Sequence, residues 1–411
     1  MADNTLGAYN IHDLRERARE FLPKGVFEFV DRGTEDETSL RNNRAVFDRI
    51  RFKPRTLTDV SGRSQEITLL GQKHKMPIVI APTGIAGLLW HEGEIALARA
   101  AKAAGIPFTL ATGSITEMER VAAEAGGRLW FQLYMWGRTD LSHQVVARAR
   151  AAGYEALILT VDGVVSGNRE FNLRNGFTMP FSFNRTNVTD VLRHPRWLAS
   201  VLARYVLTTG MPRYANYPPE LQTTITSRPL GRSQLKCENL NFEHLRELRK
   251  IWPGLLMVKG IAHPQDALLA AECGADAVVV SNHGGRNLDG SMAPLEALPQ
   301  VVDAVGKRMT VMVDSGYRRG ADVVKALALG AHAVMIGRST LYGVATAGEA
   351  GAARAIEIFR EEIDRVLALI GCRSVAELGP EFLHTTDAWF APFLRDRQAR
   401  TEPPRAVQLR S

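Results

Sequence analysis

Six consecutive residues gather groups that could do acid–base chemistry on an anion: Ser281-Asn282-His283-Gly284-Gly285-Arg286. Histidine titrates near neutrality, so it can take a proton and give it back. Arg286 offers a planar fork that matches a carboxylate. The two glycines between them let the backbone turn sharply or approach a ligand closely. A lone histidine is often a satisfied core residue, but this conjunction favours a site. Lys259 lies upstream in Val258-Lys259-Gly260, and Asp314-Ser315-Gly316-Tyr317-Arg318-Arg319 lies downstream. Each of these has a plain alternative. Lys259 could pair with a neighbouring carboxylate, Asp314 could cap a helix, and Gly316 and Gly337 could be turn glycines.

Eight short apolar runs must position these groups: 76–82, 107–112, 129–134, 156–162, 255–260, 277–282, 310–316 and 333–338. Their near-continuous hydrophobicity suits parallel strands buried on both faces. Helical patterns at 92–104, 116–125, 138–152, 264–273, 294–305 and 320–329 fill most gaps, and glycines stand where several should stop. This alternation predicts an α/β fold, a (β/α)8 TIM barrel. A doubly wound sheet would normally use fewer strands. In a barrel the C-terminal strand ends form the active face. The unusual polar residues fall there: Pro82-Thr83-Gly84, Gln132 and Tyr134, Thr160 and Asp162, Lys259, Ser281 to Arg286, Asp314 to Arg319, and Gly337-Arg338. Glycines after strands seven and eight mark the usual phosphate position of such barrels. Together these groups suggest a large polar ligand.

Residues 1–75 read as an N-terminal helical cap and 76–372 as the barrel, with a long insertion after strand four at 163–254. A final helix is expected at 349–370. Residues 373–411 read as a C-terminal extension, loose from 395 onward.

The 411 residues are 45% hydrophobic and 23% charged, an ordinary globular mix that excludes a disordered or fibrous chain. Cys237, Cys273 and Cys372 form neither a disulfide framework nor a metal pair, which points to a reducing cytoplasm. No metal motif, P-loop or nucleic-acid motif occurs, and residues 1–9 do not read as a signal peptide. Of the net charge of +7, +6 arises between Arg185 and Lys236, where eight basic residues face only Asp190 and Glu220. The charge therefore marks one local surface.

Taken with Val258-Lys259-Gly260 and Asp314 to Gly320, the 281–286 motif resembles the FMN-dependent L-2-hydroxy-acid dehydrogenases and oxidases. The resemblance spans roughly 10–380 and looks most like the membrane-associated (S)-mandelate dehydrogenases, on 129–134, 194–197 and 210–212. It implies FMN and oxidation of a 2-hydroxy acid to the 2-oxo acid. By position, Arg318, Gly316, Gly337 and Arg338 would meet the FMN phosphate, and Asp314 the ribityl chain. The ring would rest on Pro82, Thr83 and Gly84, with Ala111, Gln132, Thr160, Ser281 and Lys259 around its edge. His283 would be the base, Asp162 its orienting partner, Arg286 and Arg169 the carboxylate clamp, and Tyr134 a substrate hydrogen-bonding group. Two positions depart from the pattern. Phe29 stands where the family has a substrate-binding tyrosine, and Ala111 where it has a serine.

The resemblance further implies a homotetramer and a membrane quinone or other electron acceptor. Gly84 replaces an alanine of glycolate oxidase, which suggests a dehydrogenase. Gly113 replaces a tryptophan, which suggests room for a bulky substrate such as (S)-mandelate. An L-lactate dehydrogenase and an oxygen-using oxidase are alternatives, as is an FMN- or phosphate-binding barrel without this chemistry. In the insertion, Trp197, Leu198, Val201, Leu202, Tyr205 and Val206 recur at helical spacing. Arg193, Arg196 and Arg204 flank them, and Arg213, Tyr214 and Tyr217 follow. Such a stripe is commonly a core face. Within a basic insertion it is expected to sit peripherally on the anionic inner face of the cell membrane.

Overall fold

The computed structural model describes residues 6–177, 181, 184–227 and 237–400. The eight apolar runs form parallel strands β1 (Ile78–Thr83), β2 (Phe108–Ala111), β3 (Leu129–Leu133), β4 (Ala156–Thr160), β5 (Leu255–Ile261), β6 (Ala277–Val280), β7 (Thr310–Val313) and β8 (Ala333–Ile336). They pair in chain order, and β8 closes on β1, so the barrel leaves no open edge. Several strands end a few residues before the expected point. The trimmed residues are the polar ones that leave the ladder to form the rim.

Helices α1 (Gly93–Ala104), α2 (Met118–Glu124), α3 (Thr139–Ala151), α4 (Phe242–Ile251), α5 (Pro264–Glu272), α6 (Pro294–Val305), α7 (Gly320–Ala328) and α8 (Arg338–Ile370) surround the barrel. Gly105 shows why the sequence stops α1 there. It takes φ +69° at the C-cap, a left-handed conformation that costs glycine little. The insertion is shorter than expected, because α4 is the ordinary helix before β5. Asn241 caps it, and Leu245 and Leu248 bury its inner face. Helix α8 starts earlier than expected but breaks at Ala347 and Gly348. A Cβ at Gly348 would meet the Trp90 ring at 2.6 Å.

Side-chain alternation divides the apolar residues between two cores. Val79, Trp130, Ile158, Met257, Val279 and Met312 fill the barrel interior, while the alternate positions pack against the helices. The N-terminal cap contributes helices Ile11–Phe21, Lys24–Asp31 and Thr38–Ala45. Its first helix buries Ile11, Leu14 and Ala18, and Leu14 O accepts from Thr346 of α8. The C-terminal region differs from expectation, since Phe390–Arg400 is a helix. Arg397 anchors it to Asp303 at 2.7 Å. Residues 401–411 lie outside the described residues.

Candidate active site

Strand phase decides what the rim presents. Two residues beyond each interior residue, the same face brings up the next layer. Beyond Trp130 comes Gln132, beyond Ile158 Thr160, beyond Met257 Lys259, beyond Val279 Ser281, beyond Met312 Asp314 and beyond Met335 Gly337. The predicted rim residues therefore form one continuous layer above the interior core.

His283 follows β6 with φ +57°, and Gly284 and Gly285 continue at +66° and +70°. A left-handed histidine is strained, and such strain persists where surroundings enforce it. The cap enforces it here. Thr34 N donates to Gly285 O at 3.1 Å, and Asn43 and Asn282 exchange two amide hydrogen bonds of 3.0 and 2.8 Å. A Cβ at Gly285 would meet Leu40 N at 2.7 Å. His283 Nδ1 lies 2.7 Å from Asp162 Oδ1, and Nε2 lies 3.2 Å from the Tyr134 hydroxyl. An ionised carboxylate only accepts, so Nδ1 carries the proton and Nε2 is the basic nitrogen. Burial lowers the His283 pKa, against the pull of Asp162, which favours the neutral base. Burial raises the Asp162 pKa, but His283 and Lys259 outweigh it and hold the carboxyl below its ordinary value. Gly260 makes room for this pair, since a Cβ there would strike Asp162 at 2.7 Å. The β5–β6 register also shifts between Lys259 and Ile261.

Arg286 Nη1 donates to Arg32 O at 3.0 Å, and Arg169 Nε to Arg286 O at 3.4 Å. Both guanidinium groups lie over the Phe29 ring, at 5.2 and 5.8 Å from its centroid. Phe29 rides on the cap helix Lys24–Asp31 and packs edge-on to Phe177 at 5.5 Å. Burial lowers the pKa of both arginines, and for Arg286 the neighbouring Arg169 and Arg338 add to it. Two half-buried cations side by side form a site for an anion.

Lys259 is buried, with Nζ 2.9 Å from Ser281 Oγ and 3.1 Å from Asp314 Oδ2. Burial lowers its pKa, but Asp314 and Asp162 more than restore it, so it stays charged. Gln132 Nε2 and Thr160 Oγ1 are buried with no hydrogen-bond partner among the described residues. Buried polar atoms are rarely left unpaired, so these two mark where a polar ligand edge would sit. Beside them, Pro82 and Thr83 end β1, Ala111 ends β2, and Gly84 would tolerate a Cβ only 3.3 Å from Gly113 O. This fits a flat, polar-edged cofactor.

The phosphate end is less open than the sequence suggested. Arg338 donates to three carbonyls, Val30 O, Gly284 O and Arg32 O, at 2.8, 2.8 and 3.1 Å. Arg318 donates to Tyr317 O and faces the Tyr342 ring. Gly316, at φ +90°, lies against Asn43 O, where a Cβ would come within 2.0 Å. Sequence reasoning gave two residues no role of their own. Ser315 Oγ accepts from Gly284 N at 3.0 Å, and Asn287 Nδ2 donates to Asp162 O at 2.8 Å. Their only signal was adjacency to the motifs.

The insertion corrects the expected apolar stripe. Trp197, Val201 and Tyr205 are buried against the molecule itself. Trp197 Nε1 donates to Leu88 O at 2.8 Å, and the Tyr205 hydroxyl accepts from Glu92 N at 2.9 Å. Beside that helix, Leu192, Val206 and Leu207 face outward, exposed by 63%, 51% and 84%. Tyr214 and Tyr217 also turn inward, stacked on one another at 4.8 Å, with Tyr217 edge-on to Trp136 at 5.5 Å. Arg228, Arg232 and Lys236 lie outside the described residues.

A closed barrel bearing this rim defines a class of oxidoreductase, and residues 18–385 match the model of the FMN-dependent dehydrogenase family, so the chain belongs to it. Members bind FMN, and the chain is an FMN-dependent 2-hydroxy-acid dehydrogenase in class. Among particular relatives, it is 43% identical over 375 residues to (S)-mandelate dehydrogenase of Pseudomonas putida, covering 91% of this chain and 93% of that one. It is 39% identical over 382 residues to an L-lactate oxidase of Nostoc sp., covering 91% and 98%. A crystal structure of the monotopic membrane protein (S)-mandelate dehydrogenase superposes with a TM-score of 0.86 at 42% identity, covering 92% of this chain and 100% of that one. No helix among the described residues is long and apolar enough to cross a membrane.

Proposed function

We propose that the chain oxidises (S)-mandelate or another bulky L-2-hydroxy acid to its 2-oxo acid and passes the electrons to a quinone-type acceptor. The observation that carries the chemistry is His283 Nε2, whose ring is backed through Nδ1 by Asp162 at 2.7 Å, beside two half-buried guanidinium groups. Arg286 and Arg169 grip the substrate carboxylate, and Tyr134 hydrogen-bonds its oxygen. His283 takes the proton at Nε2, and Asp162 stabilises the imidazolium that results. Pro82, Thr83, Gly84, Ala111, Gln132, Thr160 and Ser281 would hold FMN, with Asp314, Gly316, Arg318, Gly337 and Arg338 toward its phosphate, and the bound cofactor would supply the two-electron acceptor. Lys259 places a fixed cation where negative charge develops.

The bulky substrate is supported by Gly113, where an added Cβ would meet nothing within 4 Å. Phe29 adds an apolar wall. Membrane attachment through the insertion is supported by exposed Leu192, Val206 and Leu207 beside exposed Arg193, Arg196 and Arg204. The monotopic membrane relative points the same way. A homotetramer of dehydrogenase type completes the reading. The test is anaerobic loss of the yellow absorbance when the holoenzyme meets mandelate, L-lactate or glycolate. Mandelate is expected to act fastest by kcat/KM. Faster reduction by L-lactate or glycolate overturns the substrate assignment. Oxygen uptake as fast as dye or quinone reduction overturns the acceptor assignment.

A further inference from the structure

A left-handed backbone suits glycine, yet Ser315 adopts it, with φ +77° directly before Gly316. Its side chain makes two hydrogen bonds in this conformation. Ser315 Oγ accepts from Gly284 N at 3.0 Å and donates to Asp314 Oδ1 at 2.8 Å. The second oxygen of Asp314 lies 3.1 Å from Lys259 Nζ. Lys259 Nζ donates to Ser281 Oγ at 2.9 Å, and that same oxygen accepts from His283 N at 3.0 Å. The contacts thus form a ring, closed by the chain between His283 and Gly284. Two successive amides are tied through two serine hydroxyls to one buried Lys259–Asp314 ion pair. A hydroxyl that accepts and donates at once is polarised by both partners, so the members of such a ring support one another.

The ring and the N-terminal cap hold different parts of the strained turn. The cap takes the later part, with Thr34 N on Gly285 O and Arg286 Nη1 on Arg32 O. The ring takes the earlier part, which carries the His283 imidazole. Opening the ring should therefore loosen the base and leave the guanidinium clamp in place. Arg338 still donates to Gly284 O at 2.8 Å, so the loosening is partial.

We propose that Ser315 is a positioning residue for the base: its hydroxyl couples the Lys259–Asp314 pair to the peptide that carries His283. This rests on the 2-hydroxy-acid reading given above. Glycine would serve the turn itself better than serine, because it reaches φ +77° without strain. The hydroxyl, not the turn, accounts for serine here.

The test uses the intact holoenzyme with Ser315→Ala, which keeps the backbone strain, and Ser315→Gly, which relieves it. Both remove the oxygen. Each is expected to lower kcat with mandelate, per bound FMN, by about three- to tenfold, the worth of one hydrogen bond. Binding of oxalate, an anion with no C–H bond to oxidise, should stay unchanged when followed by perturbation of the flavin spectrum. Amide hydrogen exchange over residues 281–286 should quicken in both variants before any substrate is added. Combined with Ser281→Ala, the losses in kcat should fall short of multiplying, since either change opens the same ring. Full kcat in Ser315→Gly overturns the proposal. So do unchanged exchange over 281–286, losses that simply multiply, or a loss shared by oxalate binding and FMN content. Failure of every 2-hydroxy acid to reduce the flavin of the unaltered enzyme would sink the functional reading instead, whatever the exchange shows.

Discussion

The barrel rim and the insertion both carry polar and aromatic residues, yet they are specified in different ways. At the rim, position follows from phase. A residue two places beyond an interior core residue must face the same ligand space, because a register slip would turn the whole strand inside out. In the insertion no ladder fixes phase, so a helical stripe shows which residues share a face but not what that face meets. Trp197, Val201 and Tyr205 share one face, and they meet Leu88 and Glu92 rather than lipid. The rim is thus set by backbone geometry, and the insertion by a few side-chain clips.

The contrast is sharpest in the effect of single changes. His283→Ala at the rim removes the base while its neighbours remain fixed by the strands. Loss of a general base typically costs about 10²–10⁴-fold, and the upper end is expected for kcat/KM with mandelate. FMN content should not change. A loss below tenfold would show that His283 is not the base. The pH profile of the unaltered enzyme sharpens the point. The base must be neutral, and burial depresses its pKa below the ordinary 6.5, so activity should fall only as pH drops below that value. Asp162 raises the His283 pKa, so Asp162→Asn should move the acid limb further down while reducing the maximum rate. A limb moving upward would refute the pairing.

In the insertion the largest effect should fall on folding instead. Trp197→Ala empties a buried site and removes the hydrogen bond to Leu88, and such Trp deletions cost about 3–5 kcal/mol. The measurement is denaturant unfolding. A cost below about 1 kcal/mol, the size of a surface change, would mean that the helix is not seated as described. The outward residues should behave in the opposite way. Leu207→Glu should leave unfolding unaltered and weaken binding to anionic vesicles. Reversing Arg196 to Glu should do the same, since each basic residue near such a surface contributes about 1 kcal/mol. Unchanged partition of both variants would leave the insertion as an intramolecular lid.

This difference also explains what could be read in advance. All eight strands and six of the barrel helices follow from apolar runs and helix stops, because local pattern and burial agree there. Lys259, Ser281, Asp314 and Gly337 follow in turn, since strand ends place them. Asn287 and Ser315 had no role of their own in the sequence, because their contacts are to the backbone of Asp162 and Gly284, which no spacing encodes. The same holds for Arg338. Its charge suggested a phosphate, and its guanidinium also donates to the carbonyls of Val30, Arg32 and Gly284, which only the folded cap brings near. Pattern reports periodicity. It does not report which distant carbonyl will compete for a donor.

The smallest expected effect concerns the two unpaired atoms at the rim. If Thr160 Oγ1 exists to meet a ligand edge, it is a burden to the protein alone, since a buried hydroxyl without a partner costs about 1–3 kcal/mol. Thr160→Val keeps the shape and removes the hydroxyl. The apoprotein should then be as stable as before or slightly more so, while FMN binds about three- to tenfold more weakly, the worth of one neutral hydrogen bond. Both quantities come from one protein, by unfolding of the apoprotein and by fluorescence titration with FMN. Opposite signs for stability and affinity are the signature of a group selected for ligand contact. If Thr160→Val instead destabilises the apoprotein and leaves FMN affinity untouched, Thr160 belongs to the core beneath the rim. The ligand-facing layer would then begin one step higher, at Asp162 and Tyr134.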